Sequence, residues 1–482
     1  MGRLRIFAVS GILAMEVSAS TQVDVAAPDR RVRSGTCDYI VCMLAGCAGI
    51  RWNRLLVIGA ITCFTHLRTI AQMTHPVPTF DTTALQADLS YLQQQLLNRH
   101  PAPFMYCQQE ELVRHFDSLR TCLRKPMNGL RFLAHITSLY PLLGDGHTMF
   151  LPADDDGSTK HYLPLEPVWI QGHLYIRRNG STEQRLAPGS EILAINGLGS
   201  AALMDTLLMR QIRDGDNTTY PLWILNHWFK EYYRFSFGEP ERFDLLVSTE
   251  QGSTHVIVDA LPADSIRANI LRNATQAPPK EPVFGLRYAQ GDSIAILTIP
   301  SFERGSVSNA MIDAAFNELR QRKADRLILD LRGDQGGEPK LAKHLLAHLL
   351  NERFELVHKG PAAGWTKPRS DAFTGTLLVL MDGGSFSATG MVLSCLERHQ
   401  RATFIGEEAG GNRTVLAGSP RHVRLPNTRI SCYLSTRLWQ LTDRPNDGHG
   451  VLPTIAALPT IDDIIHDRDP AMEAALRVLR GL

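Results

Sequence analysis

Lys and Arg total 50 against 49 Asp and Glu, so this 482-residue chain has no surplus charge of either sign. A formal charge of +1 argues against dedicated binding to nucleic acid or to an anionic membrane, both of which need a basic surplus. The eight cysteines (37, 42, 47, 63, 107, 122, 395 and 432) include no C-x-x-C and no Cys/His ligand spacing, so no zinc site is expected. Cys107 and Cys122 are close enough in sequence to bridge but fit a pair of reduced thiols as well, and cysteine usage leaves the compartment open. Internal repeats and low-complexity tracts are absent. No metal or organic cofactor is implied.

What is present is ordinary globular composition, 44% hydrophobic and 21% charged, over a length that suits two to four domains. Residues 1–75 read as a leader or signal region outside the mature fold. Arg3 and Arg5 precede an apolar run at 6–15, and Arg51 and Arg54 precede another at 55–64. Each run is too short for a membrane span of about 20 residues and has the form of an export signal. LAGC (44–47) matches a lipoprotein cleavage box, so membrane contact is expected only through a leader or lipid anchor.

Residues 80–150 read as a helical subdomain. Asp81 can cap a helix whose apolar face is Leu85, Leu89, Leu92 and Leu96. Further helices carry Leu112, Phe116, Leu119 and Leu123, and then Leu133, Ile136, Leu139 and Leu143, ending in the loop DGHT (145–148). Residues 160–262 alternate in short apolar strands, as in 173–178 and 243–248. APGSEILAING (187–197) is a buried strand between two glycine turns, and a helical insert is expected near 201–211. From 280 to 480 strand and helix alternate. The runs 292–299, 325–331, 376–382 and 402–407 suit buried parallel strands, and the spacing predicts helices through Ile312–Phe316–Leu319, Leu341–Leu345–Leu349 and 388–396.

Sites in such sheets gather where strands end. The glycines of DLRGDQGGEP (330–339) can turn backbone N–H groups toward an anion. In MDGGSFSATG (381–390), Ser387 falls where strand becomes helix, with the Ala388 N–H and the helix dipole behind it. That suits a nucleophile, but an isolated Ser-x-Ser more often means only that Ser385 or Ser387 caps the helix. IGEEAGGNRT (405–414) is a third glycine-rich strand exit.

In order, DGHT, a PDZ-like strand, IPSFE (299–303), LILDLRGDQGG, LLVLMDGGSFSATG and IGEEAGG resemble the C-terminal processing, or tail-specific, serine peptidases. The resemblance covers about residues 80–480. It implies an α/β fold with a crotonase-like (ClpP-like) core, an N-terminal helical subdomain and a PDZ-like β insertion. It also implies Ser387 as nucleophile and an oxyanion hole from Ala388 with Gly336 and Gly337. One branch of the family takes its base from a lysine whose place Asn412 occupies here. The tricorn-like branch takes a histidine, which His147 matches, and supports it with an acid at the place of Asp447; His449 is a nearby competitor. The chain departs from that branch in having Gly146 where a serine precedes the histidine, Asp447 where Glu is commoner, and Thr454 where Asp is usual. Asp145 reads as a turn-former, and Asp330 with Arg332 as a structural pair.

The resemblance implies an exported serine endopeptidase acting on an extended protein or peptide chain. The alternative is a catalytically impaired peptide-binding protein on the same scaffold. Acyl-CoA chemistry on a related scaffold fits an exported chain with a PDZ-like insert poorly.

Overall fold

The structure, a computed structural model, describes residues 78–153, 159–250, 252–274, 282–289 and 294–482. The leader expected at 1–75 lies outside the described residues. Helix α1 (Thr82–Arg99) starts where Asp81 accepts the Ala84 N–H at 2.8 Å, and Leu85, Leu89, Leu92 and Leu96 are fully buried. It packs with α2 (Gln109–Cys122) and α3 (Gly129–Ile136). The third apolar run does not continue as one helix: after α3 come a 3-10 turn at Thr137–Leu139 and a short helix at Tyr140–Leu143. Pro141 has no N–H to give the preceding turn, which breaks the ladder while Leu139 and Leu143 stay buried. Gly144, left-handed at φ 55°, ends the run and turns the chain into the DGHT loop. Strand β1 (Met149–Leu151) follows at once.

The middle of the chain is a small β unit. β2 (Leu165–Ile170) and β3 (His173–Asn179) form a hairpin, and β4 (Ile192–Ile195) pairs with β5 (Arg242–Thr249), which pairs with β6 (Gly252–Asp259). The Asn196–Gly197 turn after β4 has both residues at positive φ, 50° and 77°. The expected insert is α4 (Ser200–Leu208). A second helix, α5 (Thr219–Phe237), was not expected. Its aromatic and β-branched residues are weak helix formers, and non-helical angles at Trp228 break it. Tyr220, Ile224, Phe229 and Tyr233 nevertheless mark a buried stripe at helical spacing.

The rest is a six-stranded sheet. β7 (Gly285–Tyr288) is its antiparallel edge. β8 (Ala295–Thr298), β9 (Arg326–Asp330), β10 (Thr376–Met381), β11 (Thr403–Gly406) and a two-residue strand at Ile455–Ala456 run parallel in that spatial order. Leu327, Leu329, Leu377 and Val379 face one core, with buried residues of α6 (Asn309–Gln321), α7 (Pro339–Leu349) and α8 (Ala388–Arg398). Ile328, Leu378 and Leu380 face the other, under Ala471, Met472 and Ala475 of α9 (Pro470–Arg480). Helices on both faces explain why these strands read as unbroken apolar runs.

A hairpin between β11 and α9, Arg421–Arg424 with Ser431–Leu434, pairs its second strand to β1. Its turn is clamped from α1. The buried Asp88 carboxylate accepts the N–H and side-chain amide of Asn427 at 2.9 Å each, and the N–H and hydroxyl of Thr428 at 2.7 and 2.6 Å. Cys107, Cys122, Cys395 and Cys432 are free thiols, and among the described residues no helix is long and apolar enough to cross a membrane.

Asp88→Ala leaves buried donors without acceptors. It is expected to cost about 2–5 kcal/mol of stability, read as a lowered urea midpoint. A midpoint equal to wild type would remove the clamp from this account.

Candidate active site

Two glycine loops leave the adjacent parallel strands β9 and β10, and their geometry is set by charge and close approach. Arg332 grips Asp330 (2.7 and 2.9 Å) and Asp469 (2.8 and 2.9 Å), which keeps its guanidinium protonated and the first loop anchored. Asp334 Oδ1 accepts the Gly336 N–H at 2.9 Å, and the Asp334 carbonyl accepts the Phe386 N–H at 3.1 Å, joining the first loop to the second. Ser385 belongs to this scaffold, since its hydroxyl donates to the Leu331 carbonyl at 2.9 Å.

Ser387 sits at the N-terminus of α8 with φ 54° and ψ −119°, angles a non-glycine residue adopts only under strain. It makes no capping bond, so the simple cap reading does not hold. Its hydroxyl points instead at the DGHT loop, where His147 Nε2 lies 3.0 Å away, and both residues are buried. Phe386 stacks on Tyr220 of α5 at 4.0 Å between centroids and meets the His147 ring at a tilt, 4.7 Å away. This explains Gly146: a Cβ there would stand 2.6 Å from the Phe386 ring, so a serine before the histidine has no room.

Among the described residues, the N–H groups of Ala388 and Gly337 have no hydrogen-bond partner. Gly336 does not share that role, contrary to expectation, because its N–H is already given to Asp334. Gly336 matters by lacking a side chain. A Cβ at this position, with φ 98°, would lie 2.6 Å from the Ala388 nitrogen and 2.7 Å from Ser387 Cβ, too close for the two loops to keep their approach.

Asp447 is the other correction. It is turned away from His147 into an exposed ion pair with Arg413, whose Nε is 3.1 Å from its Oδ2, and its Oδ1 caps the His449 N–H. Arg413 is the stronger attraction in reach, and it holds the Asp447 carboxyl below its usual range despite partial burial. His449 contacts Glu408 and is exposed. Asn412 is a structural hub. Its amide donates to Tyr106 and Asn446, and its carbonyl oxygen accepts the Thr414 N–H and hydroxyl.

Sequence reasoning missed the buried acids around the pair. Asp145 and Asp214 each bring a carboxylate oxygen within 4.8 Å of a His147 ring nitrogen. Asp214, however, already accepts the Gly146 and Asn412 N–H groups at 2.9 and 3.2 Å. Asp313, His344 and His348 form a second cluster, in which one Asp313 oxygen contacts both rings at 2.9 and 2.8 Å. Burial is the main cause that pushes Asp334 up to about 8 and Asp214 up to about 7, with the Asp145 charge adding to the latter. Burial and the neighbouring Asp382 push Glu407 up to about 7.

Residues 293–457, about a third of the chain, match the model of Peptidase family S41. That span holds both glycine loops, Ser387 and Asn412, but not His147. A carboxyl-terminal-processing protease of Synechocystis sp. is 24% identical over 232 residues, 48% of this chain and 46% of that protein. The chain thus spans about half the length of the curated relative it matches. The crystal structure of mature CPAF is similar in fold at 16% identity, covering 82% of this chain and 96% of that one with a TM-score of 0.60. Mature CPAF complexed with lactacystin matches at 15% identity, over 82% and 97%, with the same score. The family match supports a hydrolase of the serine peptidase class.

An acid whose folded pKa is raised stabilises the fold while protonated and loses that contribution as pH rises through the folded value. Asp334 therefore weakens the fold between its unfolded value, about 4, and about 8. Asp334→Asn keeps an acceptor for the Gly336 N–H. It is expected to make the fall of urea midpoint from pH 5 to 8 shallower than in wild type. An unchanged slope would show that Asp334 is ionised in the fold.

Proposed function

We propose that this chain is an exported serine peptidase in which Ser387 is the nucleophile and His147 the general base. The observation that carries the proposal is the buried 3.0 Å contact between His147 Nε2 and Ser387 Oγ. Burial lowers the His147 pKa, with the Asp145 charge opposing, so the imidazole is neutral and able to accept a proton near neutral pH.

In the first step the Ser387 oxygen bonds to the scissile carbonyl carbon while its proton passes to His147 Nε2. The carbonyl oxygen becomes an oxyanion held by the Ala388 and Gly337 N–H groups. As the tetrahedral species collapses, the C–N bond breaks and the Nε2 proton goes to the leaving amine. Water, deprotonated by the same nitrogen, then attacks the acyl-serine; the serine oxygen leaves with that proton and the product acid is freed. Strain at Ser387 supports this reading, because it spends folding energy to aim the hydroxyl.

The β2–β6 unit with α4 and α5 fits a PDZ-like insertion that holds an extended peptide by strand addition, and the six-stranded core fits a crotonase-like scaffold. Cleavage near protein C-termini follows from the same reading. Export rests on the charged-then-apolar runs before residue 75.

With an unstructured protein such as casein as substrate, Ser387→Ala and His147→Gln are each expected to lower kcat/KM by about 10³-fold or more, with unchanged circular dichroism. Activity surviving Ser387→Ala would overturn the assignment. The acidic limb of kcat/KM should fall below the ordinary histidine value of about 6.5, in line with the lowered His147 pKa. A profile that rises only above about pH 8 would point to an amine base instead.

A further inference from the structure

Asp447 is paired with Arg413, and other acids lie close to His147. With Nε2 accepting the Ser387 proton, the neutral His147 ring must carry its own hydrogen on Nδ1. That Nδ1 is buried without a hydrogen-bond partner. The nearest anionic atom described is Asp145 Oδ1 at 3.9 Å, on a side chain as buried as the imidazole. The same oxygen accepts the His147 backbone N–H at 2.9 Å, so carboxylate and ring are held in one turn.

Asp145 is itself held. Its Oδ2 lies 2.9 Å from His100 Nε2, a contact between side chains 1% and 2% exposed. His100 Nδ1 accepts the Ala102 N–H, which leaves Nε2 to carry the hydrogen and donate it. His100 and the nearby His147 together outweigh its burial and keep it ionised. Asp214 and Tyr106 face the same cluster. Asp214 is spent on backbone N–H groups, and burial with the nearby acids keeps Tyr106 a neutral phenol.

We propose that Asp145, anchored by His100, is the positioning residue of the base. It fixes the His147 tautomer and opposes the positive charge that forms when the ring takes the serine proton. This rests on the Ser387–His147 reading and assigns to the turn residue of DGHT the role expected of Asp447. A small rotation of the ring converts the 3.9 Å approach into a hydrogen bond as the charge develops.

The test follows His147 without requiring turnover. Ser387→Ala protein with isotope-labelled histidine is titrated by NMR, the His147 signal being assigned by its loss in His147→Gln. Adding Asp145→Asn should lower the His147 pKa by one pH unit or more, because a negative charge is removed. Adding Asp447→Asn should leave it within a few tenths. In protein with Ser387 intact, Asp145→Asn should slow fluorophosphonate labelling about 10- to 1,000-fold at its plateau and move the acidic limb to lower pH. Should Asp145→Asn fail to fold, His100→Leu reads the same contact. Without the donor, burial neutralises Asp145, so labelling should fall about tenfold or more, and His100→Gln should restore most of it. A His147 pKa unmoved by Asp145→Asn, or moved by Asp447→Asn, or equal rates in His100→Leu and wild type, would overturn the proposal. Absence of labelling in wild type would instead count against the Ser387–His147 reading, and the NMR titration would still decide the role of Asp145.

Discussion

A hydroxyl and an imidazole 240 positions apart in sequence meet at 3.0 Å in a buried space, and most of the site exists to hold that distance. Neither residue can be placed by its own neighbours. His147 is fixed because the strand that follows it, β1, pairs in register with Ser431–Leu434, and because Thr148 accepts the Ser435 N–H at 3.1 Å. Ser387 is fixed because Asp334 in the neighbouring loop accepts the Phe386 N–H. Phe386 then ties the two halves together, its ring 4.7 Å from the imidazole and stacked on Tyr220. A shift of one ångström in any of these supports is of the size that costs catalysis heavily.

The electrostatics serve the same end. The interior here carries several carboxyl groups, and they fall into two kinds. Asp334 and Asp214 are spent on backbone N–H groups and are pushed upward by burial, so they act as neutral or half-ionised latches for the loops. Asp145 faces imidazoles and stays ionised. In the proposed reaction, a fixed negative charge beside a neutral ring that accepts a proton would stabilise the product of that transfer more than its reactant.

Much of this was legible in the chain. The buried strands announced themselves as continuous apolar runs, because a sheet covered on both faces leaves no polar face to alternate. Helix α1 was legible from Asp81 and the four leucines. The strand-to-helix turn that holds Ser387 was legible from MDGGSFSATG. The acid was misread because spacing near a Gly-Val turn says nothing of a side chain's direction, and Arg413 is a nearer partner for Asp447 than any histidine. Gly336 was misread for a related reason: a glycine loop signals free N–H groups, but not which of them the loop spends on itself. Helix α5 escaped because its aromatic residues, poor helix formers alone, are stabilised by the two cores they bridge. Its first turn, through Tyr220, links the middle unit to Phe386, the residue before Ser387.

The account stands or falls on the reactivity of one hydroxyl. The most direct measurement is mass-spectrometric mapping of the adduct left when the intact protein reacts with a fluorophosphonate near neutral pH. A single phosphonylated peptide carrying the modification on Ser387 is the predicted result. Modification of another serine with Ser387 untouched would contradict it.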